Sequence, residues 1–416
     1  MSRKMDVIVV GAGASGLTAA IQAARKGARV LILEHMDKAG KKILVTGNGK
    51  CNFTNEKQGI AYYNGKNPAF VLPALRQFGF TETLQFFKEL GIHPQNKRDG
   101  YYYPASGQAA SVIEVLLLEC KRLNIEIAYN VGIREIHRET EGFSFHTKQG
   151  IFESLCCIIA TGGKAAKKTG SDGSGIPYIV GLGHKIIDLV PALVQLQGKQ
   201  SFLKDIAGIR AEGTICLYIE NRKKTEDFGE LQLTEFGVSG IPAFQVSRYA
   251  SYGLLNHKHV FVLLDFLSDL SLEEATALME QRFHTYGSGK SAAQALIGLF
   301  PEKLNRVFLK EARIKLEKPA QNCTNKELAA LAALTKALRI DIIGTKGFDH
   351  AQVSAGGVDT DQINPTTMES RIVSGLYFAG EVVDIDGMCG GYNLQWAWSS
   401  GFVAGSAAAD NIRREK

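Results

Sequence analysis

The chain has 416 residues, 45% of them hydrophobic and 22% charged, with a formal net charge of +6. That is an ordinary globular composition with room for two or three domains. No basic run interleaved with aromatics points to nucleic acid, and no apolar run reaches membrane-span length. Seven cysteines, none in a Cys-x-x-Cys pair, argue against a disulfide framework, a dithiol redox centre and a zinc ribbon. No metal site is read, and a reducing cytoplasm is the default compartment.

The chain opens on Asp6-Val7-Ile8-Val9-Val10-Gly11-Ala12-Gly13-Ala14-Ser15-Gly16. A β-branched run ends in Gly-x-Gly-x-x-Gly, and a helical pattern of Leu17, Ala20, Ile21 and Ala24 follows at once. The spacing predicts a strand, a tight turn and a helix whose N-terminus points at a pyrophosphate. Gly11 permits the turn, Gly13 lets the backbone approach the ligand, and Gly16 lets the helix pack close to the sheet. Glycines interrupt the apolar run, so it is not a signal peptide. Lys26-Gly27 ends the helix, and residues 29–33 form a second strand closing on Glu34. That carboxylate stands where a ribose hydroxyl acceptor is expected. The motif predicts a dinucleotide without separating NAD from FAD.

Residues 35–55 form a Gly- and Lys-rich loop that includes Lys41, Lys42, Thr46, Gly47, Asn48, Cys51 and Asn52. Such a loop can set N–H groups and cations against phosphates, and amides against a polar ring edge. It can equally be a solvated turn. Cys51 is either a thiol activated beside Lys50 or a small buried hydrophobe. Residues 67–91 read as helices stopped by Gly79 and Gly91. Residues 98–104, with Tyr101, Tyr102 and Tyr103, read as an aromatic loop that walls a pocket or packs between domains. A helix over 108–123 and strands over 125–137, 142–148 and 151–159 follow. The last strand delivers Ala160-Thr161-Gly162-Gly163, a small-residue turn suited to a ligand. Residues 170–175 form a second Gly-rich loop. Residues 181–185 look like another dinucleotide motif but lack the third glycine and a preceding strand. A helix over 176–183 is read there, and no separate NAD domain.

The composition changes near residue 187. Strands are expected over 190–197, 214–219, 230–233 and 259–266, with a charged turn at 221–224. From Ser271 the pattern is helical. Ser271 with Glu274 and Thr324 with Glu327 make capping boxes, and Leu328, Leu331, Thr335 and Leu338 keep helical spacing. The expected domains are 1–186 (first part of the cofactor domain), 187–270 (a β-rich insert), 271–345 (a helical insert) and 346–416 (the cofactor domain's end). Residues 233–242 are either a site loop or a plain strand-to-helix turn. The C-terminal stretch decides the cofactor. A strand ends in Ala379-Gly380-Glu381, and a Gly-rich turn through Asp386-Gly387, Gly390-Gly391 and Tyr392-Asn393-Leu394 leads into a small-residue helix over 399–411. A carboxylate for ribityl hydroxyls and helix N–H groups for the flavin N1–C2=O suit FAD, and NAD enzymes need neither. The expected fold class is α/β: a Rossmann-type FAD-binding domain interrupted by a β-rich unit and a helical insert.

The segments 40–55, 233–242 and 375–398 resemble those of the bacterial aminoacetone oxidase family of NAD(P)/FAD-dependent oxidoreductases. That group includes the 3-dehydro-bile acid Δ4,6-reductase of gut clostridia. The resemblance spans essentially the whole chain. It implies tightly bound FAD, contacted by the Gly11–Gly16 turn with Ser15, by Glu34, Lys41, Lys42 and the 46–52 loop. It further implies contacts from Val131, Glu381, Asp386, Gly387, Asn393 and Leu394. The expected reaction is reduction of a conjugated enone in a small steroid-like acid, with NADH or NADPH as transient electron donor. Such a reaction needs a proton donor. Tyr392, His350 and Tyr102 are the candidates, with Tyr101 and Tyr103 beside them. The alternatives are an amine oxidase using O2, and an FAD-binding redox sensor or tRNA-modification accessory. Neither nucleic acid nor membrane is expected as a partner, and the sequence leaves the oligomeric state open.

Overall fold

A computed structural model describes residues 4–98 and 100–415. The chain divides into two compact units, Met1–Leu189 with Gln352–Lys416, and Val190–Ala351. No described helix is long and apolar enough to cross a membrane.

The first unit is built on a seven-stranded sheet. Its centre is Met5–Val10, paired in parallel with Val30–Leu33 on one side and Gly150–Ile159 on the other. Val7–Val10 and Val30–Leu33 are unbroken, buried apolar runs, as strands covered on both faces in a parallel sheet are. Gly150–Ile159 changes partners along its length. Its start pairs antiparallel with Gly142–Thr147, and its end pairs in parallel with Leu376–Phe378. The C-terminal segment is thereby returned to the centre of the sheet.

Residues 125–137, expected as one strand, are two. Glu126–Ala128 joins the parallel edge beside Val30–Leu33, and Ile133–Glu139 joins the antiparallel meander. Asn130 divides them with φ at 58°, a left-handed position that Asn tolerates. The aromatic stretch also differs from expectation. Tyr101–Pro104 is the central strand of a small sheet between Thr54–Asn55 and Pro94–Arg98. Asp99, part of that stretch, lies outside the described residues. The last helix, Tyr392–Glu415, packs against Ala14–Arg25 at backbone contact. A Cβ at Gly401 or Gly405 would overlap the carbonyls of Ser15 and Ala19.

The second unit contains a closed barrel of six strands. Arg210–Ile219 and Arg222–Thr234 form its long hairpin. Glu220 and Asn221 are both left-handed, so two residues suffice for the turn. The charged stretch 222–224 is therefore strand. The capping boxes at Ser271 and Thr324 form as expected, and Ser291 with Gln294 makes a third. Leu338, expected to continue a helix, instead starts the strand Leu338–Thr345, which pairs with Val260–Asp265. The helix stops at Lys336 because barrel closure, a long-range pairing, outweighs the local period.

His184 is buried in the first unit, with Nε2 2.7 Å from Ser370 Oγ. Ser370 Oγ accepts the N–H groups of Ile372 and Val373, so its own proton goes to His184. Burial holds this imidazole below its ordinary value of 6.5. The unfolded chain therefore takes up a proton that the folded chain refuses. The His184 contribution is complete above the ordinary value and declines as pH falls below it. Urea midpoints should drop between about pH 7.5 and about pH 5.5, and His184→Gln should flatten that slope.

Candidate functional site

Three segments separated in sequence meet at the C-terminal end of the central strands. Gly11, at φ +104°, donates its N–H to Leu33 O at 2.8 Å, and Ala160 donates its own to Val10 O at 2.9 Å. A Cβ at Gly11 would lie 2.6 Å from Ala160 O, and one at Gly16 would overlap Gly11 O. A Cβ at Gly13 would meet nothing within 4 Å. No side chain caps the helix that begins there. The motif's outer glycines are thus required by the protein's own packing. The middle one faces open space at a helix N-terminus, where an anion is favoured.

Glu34 is buried at the end of its strand. Its two carboxylate oxygens accept the N–H groups of Ala12 at 2.7 Å and Met36 at 2.8 Å. The oxygen that takes Met36 also has His35 Nδ1 at 3.4 Å, and the oxygen that takes Ala12 keeps a second lone pair for a hydroxyl. Val131 donates its N–H to Glu34 O at 2.9 Å, so the two expected contacts are adjacent. Beside the Ala160-Thr161-Gly162 turn, Thr161 Oγ1 and Ser171 Oγ are buried without a hydrogen-bond partner. Ser171 belongs to the second Gly-rich loop. A Cβ at Gly162 would lie 3.1 Å from its hydroxyl.

The closing segment is anchored to the opening turn. A Cβ at Gly380 would overlap Ser15 Oγ, and that hydroxyl donates to Ala379 O at 3.2 Å. Gly380 also donates to Ser400 Oγ at 2.9 Å and accepts from Trp396 Nε1 at 3.1 Å. Glu381, expected to face ribityl hydroxyls, pairs with Lys42 at 2.6 Å and accepts the Ser354 N–H at 2.9 Å. Lys42, expected to face phosphate, is held by that pair, and Lys41 is bridged to Asp37. Asp386 lies in a short strand paired with Asn64. Gly387 and Asn393 exchange hydrogen bonds at 2.8 and 2.7 Å, which fixes the entry to the last helix. Leu394 packs on the core.

The 46–52 loop is one tight turn. Gly47 and Asn48 are left-handed within it, and so is Cys51. Asn52 Oδ1 is buried without a partner, and a Cβ at Gly391 would lie 3.1 Å away. Cys51 is fully buried, which pushes its thiol up to about 12. At pH 8 only about one molecule in ten thousand then carries the thiolate, the nucleophilic form. Cys51 should stay unalkylated by iodoacetamide in the folded protein and react fully once denatured, read by peptide mass spectrometry. Unpaired Asn52, Thr161 and Ser171 oxygens and the open space at Gly13 fit FAD, whose ring edge and hydroxyls would satisfy them.

The candidate proton donors separate. Strand alternation sends Tyr101 toward Gly390 and Tyr103 toward Gly47, while Tyr102 meets Phe80 edge-on at 5.0 Å. Tyr102 therefore faces the packing side of its strand. Tyr392 is buried at the start of the last helix, stacked on Tyr62. His350 is exposed in a turn of the second unit. Gln395 was not singled out by its sequence. It is fully buried, accepts from Thr54 Oγ1 at 2.5 Å, and places Nε2 2.9 Å from both Thr83 Oγ1 and Ser399 Oγ. An amide among the apolar residues Leu394, Trp396, Ala397 and Trp398 was the available signal.

The profile of the HI0933-like protein Rossmann domain matches residues 5–407. The chain is 41% identical over 407 residues to the 3-dehydro-bile acid delta(4,6)-reductase of Clostridium scindens, covering 97% of this chain and 98% of that protein. It is 31% identical over 410 residues to the ribosomal RNA dihydrouridine synthase of Haemophilus influenzae, covering 97% and 98%. Among solved structures, the 3-ketosteroid delta1-dehydrogenase of Sterolibacterium denitrificans aligns with a TM-score of 0.51 at 12% identity, covering 99% and 100%. That likeness is one of fold.

Proposed function

This chain belongs to the HI0933-like Rossmann-domain family, and on that footing we propose that it is an FAD-dependent reductase of a conjugated C=C, with NADH or NADPH as donor. The observation that carries the reading is the 41% identity, along 97% of the chain, to a protein named for reducing a dehydro-bile acid. The proposed substrate is accordingly a 3-oxo-Δ4,6 bile-acid or steroid-like ketone. The dihydrouridine synthase relative, 31% identical, is named for a uridine that has gained two hydrogens. The bond type is the same, and the lower identity places RNA second.

In this reading Gly11, Gly13, Ser15 and Gly16 hold the pyrophosphate, Glu34 the ribose and Val131 the adenine. Ala160, Thr161 and Gly162 line the middle of the cofactor. Gly380, Glu381, Asp386, Gly387, Asn393 and Leu394 close the flavin end, facing Lys41, Lys42, Thr46, Gly47, Asn48, Cys51 and Asn52. When bound, FAD supplies two-electron transfer from a nicotinamide to an electron-poor double bond. The protein's part is to orient and to set the field. First-turn N–H groups of the last helix favour negative charge beside them. The Lys42–Glu381 pair fixes the carboxylate near the opening turn. All seven cysteines are free thiols, which supports work in the reducing cytoplasm.

Incubation with a 3-oxo-Δ4,6 bile acid and NADH or NADPH should yield a product that gains two hydrogens per double bond, read by mass spectrometry. Peroxide formed from aminoacetone and O2 without a nicotinamide, and no reduced ketone, would replace this reading with that of an amine oxidase. Reduction of uridine in ribosomal RNA, with the ketone untouched, would put the second substrate first.

A further inference from the structure

The last helix is entered through Gly390 and Gly391, at φ +128° and +95°. A Cβ at Gly390 would lie 3.1 Å from the ring edge and hydroxyl oxygen of Tyr101. Only a bare backbone admits that ring. Two residues on, the buried Tyr392 stacks on Tyr62 with ring centroids 4.7 Å apart and planes 6° from parallel. Tyr63 closes the other side, edge-on to Tyr392 at 5.9 Å, with its hydroxyl 3.2 Å from Gln58 Oε1. Burial, and then the neighbouring phenols of Tyr62 and Tyr101, push the Tyr392 phenol up from its ordinary range. Burial likewise pushes the Tyr63 phenol up, so the Tyr63 and Tyr392 hydroxyls are neutral donors at working pH. The unpartnered Asn52 Oδ1 lies at the same glycine pair. Phenols from three separated segments thus gather at one turn, beside flat aromatic faces.

A neutral phenol donates best to an oxygen that can only accept, and stacked rings favour a flat apolar body over a flexible or charged one. A conjugated ketone has both properties. We propose that Tyr62, Tyr101 and Tyr392 form a carbonyl-binding cluster at the Gly390–Gly391 turn. Tyr101 donates to the ketone oxygen, and the Tyr62–Tyr392 stack holds it in place. The ligand class is a planar conjugated ketone, which rests on the reductase reading above. Drawing electron density onto that oxygen leaves the conjugated carbon poorer in electrons, the condition for its reduction. Tyr102, one residue along the same strand, faces Phe80 and takes no part.

The test uses the FAD-loaded protein and a 3-oxo-Δ4,6 steroid ketone labelled with carbon-13 at the carbonyl. Equilibrium dialysis gives its affinity, and infrared difference spectra give the bound C=O stretch. Retained FAD shows that each variant is folded. Tyr101→Phe should weaken binding about tenfold, one hydrogen bond's worth, and raise the C=O stretch. Tyr392→Phe should raise the stretch by less, and Tyr102→Phe should leave affinity and stretch as in the parent. Parent-like affinity and stretch in both Tyr101→Phe and Tyr392→Phe would overturn the cluster while the reductase reading stands. A parent protein that binds no ketone would overturn the ketone reading, and the cluster with it.

Discussion

Gly16→Ala should cost about 3 kcal/mol or more of stability, while Gly13→Ala should leave the fold intact and lose the cofactor. The two glycines sit three residues apart and differ in what a methyl group meets. At Gly16 it would overlap Gly11 O and come within 3.3 Å of Ala160 Cβ. Both neighbours are fixed by the central sheet, so the helix must move. A loss of that size lowers the melting temperature by about 3–6 °C in a chain this large. At Gly13 a methyl meets nothing within 4 Å of protein. It can clash only with a ligand, so FAD should bind at least about tenfold more weakly at nearly unchanged stability. Thermal melts and FAD content after gel filtration measure both. A Gly13→Ala protein that retains FAD as the parent does would mean that the pyrophosphate lies elsewhere.

Gln395→Leu should cost about 3 kcal/mol, a large effect for a swap of similar volume. Its amide ties the last helix to Thr54 and Thr83, and bonds Ser399 one turn on within that helix, in a region without water access. Leucine fills the space but leaves buried hydroxyls to find other partners. The Phe78 carbonyl, 3.2 Å from the amide nitrogen, still has Ser399 Oγ as a donor. The loss therefore falls mainly on Thr54 and Thr83. Thr54 borders the Gly391 turn, so the flavin end should loosen with it. Denaturant midpoints should fall, and FAD should dissociate faster. A cost below about 1 kcal/mol would show that these hydroxyls re-pair locally.

The opening motif was legible because its physics is local. Strand, glycine turn and helix lie within residues 5–25, and each glycine's role follows from its offset. The closing segment was legible for the same reason, since Gly380 and the small-residue helix carry their own composition signal, although that helix, expected over 399–411, starts at Tyr392. Long-range pairings were not. Tyr101–Pro104 reads as a loop until Thr54–Asn55, some forty-seven residues earlier, is brought beside it. Leu338 keeps a helical period, and only the distant strand Val260–Asp265 makes it β. The Lys42–Glu381 pair joins residues 339 apart, beyond the reach of spacing rules. Tyr102 looked equivalent to its neighbours in a run of three tyrosines. Once the run is a strand, alternate residues face opposite ways and the middle one is turned from the Gly390 turn.

We infer that FAD in this cradle carries electrons from a nicotinamide to a conjugated ketone. Anaerobic stopped-flow mixing tests it in two steps. NADH or NADPH should bleach the flavin absorbance of the purified protein, and a 3-oxo-Δ4,6 ketone added next should restore it. A flavin that neither nicotinamide bleaches, or a bleached flavin that the ketone does not recolour, would contradict it.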